Sequence, residues 1–162
     1  MHEQDSKAGQ PRPAQKGSAQ CESDGRNPPI QRWVVWNDRT EDWDLDDNPS
    51  PRPGKKKPIV LEDDSGGHEI QFHLRVPGGS GWQFDTTDPI WTADNVGCGS
   101  LSCLASDQVS VLRPQPHLLV VFDENSGEER IVRYQLNFVG APGGPVPPAC
   151  DPAILNGGGT RA

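Results

Sequence analysis

Between Arg130 and Phe138, Val132, Tyr134, Leu136 and Phe138 alternate with Arg133, Gln135 and Asn137. Side chains on a strand point to opposite faces with a period of two, so this segment predicts a strand with one apolar and one wet face. His117 to Phe122 precedes it, separated by Asp123-Glu124-Asn125-Ser126-Gly127, and the pair predicts a β-hairpin. His68 to Val76 repeats the alternation. Ile70, Phe72, Leu74 and Val76 oppose Glu69, Gln71, His73 and Arg75. Shorter strands are expected at Ile59 to Leu61, Trp82 to Phe84, Ile90 to Thr92 and Val109 to Leu112, with an edge strand at Ala153 to Leu155. Leu118 to Phe122 is apolar on both faces, which places it centrally in a sheet. No window carries apolar residues at helical spacing without a Pro or Gly interrupting it. Seven or eight short strands with breakers between them predict an all-β, antiparallel, immunoglobulin-like β-sandwich over residues 58–156.

The first 57 residues read differently. Residues 1–29 offer almost nothing to bury and predict a disordered tail. Ile30 to Trp36 is a β-branched and aromatic island with Trp33 and Val35 on one face, Val34 and Trp36 on the other. Residues 37–57 return to polar composition. Five acids surround Trp43, then Pro49, Pro51 and Pro53 and the run Lys55 to Lys57 follow, which reads as a linker. The expected organisation is a disordered or linker arm over 1–57 with a Trp-rich segment at 30–43, the sandwich over 58–156, and a disordered tail over 157–162.

Composition supports a small folded unit with loose flanks. Apolar residues are 32 % of the chain, and 18 Gly and 17 Pro break it. The net charge of −8 lies wholly in the second half, because residues 1–57 hold ten acids and ten bases. Residues 58–162 hold thirteen acids, five arginines and no lysine. Such a surface repels phosphates, so nucleic acid and anionic membrane are not expected partners. No apolar run is long enough to span a bilayer, and the first residues lack the apolar core of a secretory signal, so the expected compartment is the cytoplasm.

After the tyrosine-bearing strand and a Gly/Pro loop, the segment Asp151-Pro152-Ala153-Ile154-Leu155-Asn156 resembles the ending of small uncharacterised bacterial β-sandwich proteins. The resemblance covers about the last 90 residues and implies the sandwich fold without implying an activity.

Candidate chemistry is sparse. Cys98 and Cys103 are separated by four residues, while Cys21 and Cys150 are isolated. A structural zinc needs four ligands, and only a tertiary meeting with His117 and Cys150 would complete the set. A Cys98–Cys103 disulfide would require an oxidising compartment. The plainer reading is a pair of reduced thiols, so no cofactor is expected. Blue copper fails because the only methionine is Met1 and no histidine follows the cysteines closely. There is no nucleophile elbow, and acidic surroundings would make a thiol less reactive. Trp82 and Trp91 are expected in the core. Trp33, Trp36 and Trp43 read either as a docking peptide or as an extra strand at the sheet edge. The expectation is a non-catalytic protein-binding or scaffolding module. The alternatives are carbohydrate or small-ligand binding through exposed aromatics, and a thiol-dependent enzyme or metal site at Cys98 and Cys103.

Overall fold

A computed structural model of the chain describes residues 26–62, 65–94, 102–103 and 106–157. The described residues are all-β, with twelve strands and no helix. β1 (Ile30–Asn37), β2 (Asp42–Asp46), β4 (His68–Arg75), β8 (Val109–Pro114) and β9 (Leu118–Asp123) form one sheet in the order β2-β1-β4-β9-β8. β3 (Ile59–Leu61), β6 (Ile90–Asp94), β7 (Ser102–Cys103), β10 (Arg130–Leu136) and β12 (Ala153–Asn156) form a second, ordered β3-β12-β10-β6-β7. β5 (Gln83–Phe84) and β11 (Phe138–Val139) make a two-stranded ribbon. Most pairs are antiparallel, but β1 joins β4 and β3 joins β12 in parallel.

A single apolar core takes side chains from all three sheets. Phe72 of the first sheet meets Tyr134 of the second with ring centroids 5.5 Å apart. The alternation in β4 and β10 accounts for this: Ile70, Phe72 and Leu74 point inward from one sheet, Val132, Tyr134 and Leu136 from the other.

Three expectations need correction. The first concerns residues 30–57, which supply two strands and a folded-back segment instead of a linker arm. β1 lies between β2 and β4, and Val34, Trp43 and Leu45 are core residues. The turn into β2 is built locally: Asn37 Oδ1 accepts from the amides of Arg39 and Thr40, and Glu41 takes the left-handed conformation (φ 51°). The polar stretch after β2 folds back along it. Leu45 N donates to Lys55 O (2.7 Å) and Lys57 N to Leu45 O (2.8 Å), which covers the outer edge of β2. The three lysines then meet the acids that looked like linker. Lys55 pairs with Asp46 (3.0 Å), Lys56 with Asp42 (2.8 Å) and Lys57 with Asp47. The Lys57 ammonium holds the Asp47 carboxyl down to about 2. The tail expected over residues 1–29 lies largely outside the described residues, as does most of that over 157–162.

The second correction is the hairpin. β9 is paired on both edges, by β4 and β8, so it has no edge left for β10, which lies in the other sheet between β6 and β12. The connecting residues cross between the sheets. Buried Asn125, at φ 43°, holds the crossing by donating to Glu62 O, Ser65 Oγ and Gly66 O. The third is Ala153–Asn156. It has neighbours on both sides, β3 and β10, and is therefore not an edge strand.

Candidate functional site

The tryptophans are the first candidates. Trp43 is fully buried, stacks on Phe138 (4.4 Å) and donates its indole N–H to Pro148 O (2.6 Å). Trp36 stands edge-on to Trp43 (5.2 Å) and to Trp82 (4.9 Å), and Phe84 extends the cluster through Phe138. Trp82 donates to Pro145 O (3.2 Å). The cluster thus anchors the Gly/Pro loop 140–148 onto the core, and Trp43 is a packing residue, out of a partner's reach. Trp36 is half-buried and bonds Asp38 Oδ1 (2.8 Å). Trp33 faces outward from β1 and stacks on His73 (5.2 Å, 19°), which occupies one ring face. The three indoles therefore do not converge on one surface. Trp91, expected in the core, faces outward because Ile90 and Thr92 take the inward positions of β6; its indole donates to Asp88 Oδ2 (2.6 Å).

The cysteines are described only in part. Cys98 lies outside the described residues, and Cys103 is described only by its place in β7, opposite Trp91. Cys150 is free and buried against β10, where burial pushes its thiol up to about 12. A thiol so raised is a poor nucleophile at neutral pH. Among the described residues, no three His, Cys, Asp or Glu side chains are grouped so as to hold a metal ion.

What stands out is a surface that the residue pattern alone did not single out. Leu155 of β12 is opposite Ile131 of β10 on one side and Val60 of β3 on the other. All three point away from the core, with exposures of 61 % for Val60, 41 % for Ile131 and 36 % for Leu155. They form a straight apolar row across three adjacent strands. The row borders a shallow depression of about 670 Å³ that also takes in Glu62, Glu129 and Asn156. Arg133, two residues beyond Ile131, is exposed on the same face. Single exposed apolar residues are ordinary, and it is their alignment that makes this row the candidate surface.

A second cleft of about 700 Å³ lies on the outer face of the first sheet, where the chain enters β1. Pro28, Pro29, Leu112 and Phe122 supply its apolar wall. Leu112 reaches it from a β-bulge in β8, between Val111 and Arg113, and Phe122 from β9, so this wall combines loop, irregular edge and inner strand.

No protein-family model matches the chain, and no curated protein matches it.

Proposed function

We propose that this protein is a non-catalytic binding module built on an immunoglobulin-like sandwich, and that its partner is another protein met by the outer face of β3, β12 and β10. Strand order supports the fold, while the parallel pairing of β1 with β4 departs from the antiparallel sheets of such a sandwich. The sequence β1-β4-β9-β8 follows the A-B-E-D order of such a sandwich, and β6-β10-β12 follows C-F-G. β9 to β10 is then the crossing between sheets, as the E-to-F connection is in that topology. β2, β3 and β7 are additions at the sheet ends.

The observation that carries the function is the Val60–Leu155–Ile131 row. Covering each side chain contributes on the order of 1 kcal/mol, which makes the row a nucleus for docking and not a whole interface. Glu62 and Glu129 on its rim favour a partner whose apolar strip is bordered by lysine or arginine, because rim charges select partners and speed encounter. The proposed compartment is the cytoplasm.

Proximity labelling in cells that express the protein tests this, using wild type and an Ile131→Lys/Leu155→Lys double variant as baits. Both positions are outward-facing, so the variant keeps the wild-type circular dichroism spectrum and melts within a few degrees of it. A partner enriched by the wild type should fall at least tenfold with the variant. Equal enrichment by both baits would remove this face from the function.

A further inference from the structure

Asp123 ends β9 at the point where the chain leaves the first sheet for the second. Its strand partners are His68 on β4 and Val109 on β8. The side chain is fully buried. Its Oδ1 accepts two hydrogen bonds, from the Asn125 amide (2.8 Å) and from Asn156 Nδ2 on β12 (2.9 Å). Its Oδ2 is buried with no hydrogen-bond partner among the described residues, and so is Asn156 Oδ1.

Two neighbouring side chains thus each leave one acceptor unused. Leaving a buried polar atom unpaired costs on the order of 1–3 kcal/mol. An ionised Asp123 cannot relieve this, because a carboxylate only accepts. A neutral carboxylic acid gains one O–H donor. An acid beside a primary amide forms a two-bond ring: amide N–H to one carboxyl oxygen, acid O–H to the amide oxygen. One bond of that ring is already present at 2.9 Å, and the two atoms needed for the other are the two unpaired ones.

The surroundings favour the neutral form. Asp94 on β6 and Glu124 in the crossing both add negative charge near Asp123. Arg130 is engaged by Asp94 (3.0 Å) and Asp107 (3.2 Å). His68 on β4 is held below its ordinary value by burial, and its Nε2 faces Ser65 Oγ (3.0 Å) and Asn27 Nδ2 (3.4 Å). Val109 on β8 is apolar. No cation pairs with Asp123 among the described residues.

We propose that Asp123 is a proton-operated clamp between the two sheets: when protonated it donates Oδ2–H to Asn156 Oδ1 and fastens β12 to β9 by two hydrogen bonds, and when ionised it holds β12 by one. Burial, more than any neighbour, pushes its carboxyl up to about 6 from an ordinary 3.8. A carboxyl raised in the folded state stabilises it in full below the ordinary value, and that contribution is lost as pH rises through about 6. Mild acidification therefore tightens β12. The clamp stands whether or not the outer face of β12 docks a partner.

The test is a carbon-13 titration of side-chain carboxyl and amide carbons in the full-length protein. Asp123 should titrate with a midpoint near 6, and the Asn156 amide carbon should shift with the same midpoint. Amide exchange of Ala153–Asn156, corrected for intrinsic rate, should be about tenfold slower at about pH 5 than at about pH 7.5. Asp123→Asn should flatten that dependence, and His68→Gln should leave it. An Asp123 midpoint below about 4.5, or an Asn156 carbon that stays still through the transition, would overturn the clamp. The wild-type titration decides the matter even if Asp123→Asn does not fold.

Discussion

Replacing Trp43 by alanine is expected to lower the unfolding free energy by about 3–5 kcal/mol, a large part of the stability of a small domain. The indole is fully buried and is the hub of the aromatic cluster, touching Phe138, Trp36 and Trp82. Truncation opens a cavity there and also leaves Pro148 O without its donor. Loop 140–148 then loses an anchor, so the damage spreads from packing to loop order. Denaturant unfolding of the two proteins measures the difference. Trp43→Phe should fall between them, since it restores much of the volume but not the hydrogen bond. A cost below about 1 kcal/mol for the alanine variant would contradict a buried hub.

Deleting residues 1–57 should abolish cooperative folding. The deletion removes β1 and β2, and with them Val34, Trp43 and Leu45 from the core. It also bares the backbone edge of β4, which β1 covers over six residue pairs from Ile30–Ile70 to Val35–Arg75. An exposed central-strand edge above an opened core favours aggregation over folding. Amide proton spectra should collapse to poor dispersion, and thermal unfolding should lose its sigmoid. A shortened chain that kept sharp dispersion and a cooperative transition would return residues 30–57 to the status of a docking arm.

β4 and β10 were legible in the sequence because each has one wet face, and period-two patterning states such a strand directly. The apolar run of β9 carried its place inside a sheet, with neighbours on both edges, although Phe122 on its outer face is only half-buried. The crossing after β9 was not legible. Asp-Glu-Asn-Ser-Gly has the residues of a hairpin turn, and only the tertiary bonds of Asn125 to Glu62, Ser65 and Gly66 make it an arch between sheets. Residues 37–57 misled for a related reason. Acids and lysines about ten residues apart look like a solvated linker until the chain folds back and pairs them. The apolar row left a faint trace: Ile131 breaks the polar phase of β10, and Val60 and Leu155 sit in runs that are apolar on both faces. That trace does not say whether a second face is buried or bare. The answer depends on sheet order, which places nothing over this face of the described fold.

Carboxyl-directed cross-linking of the protein with a partner enriched by the proximity labelling, mapped by mass spectrometry, reads the proposed contact most directly. The second half of the chain has no lysine, so acids are the natural anchors there. Cross-links to the partner should concentrate on Glu62, Glu128 and Glu129 beside the row. Cross-links concentrated instead on Glu69 and Asp85, with those three glutamates silent, would contradict docking through the β3–β12–β10 face.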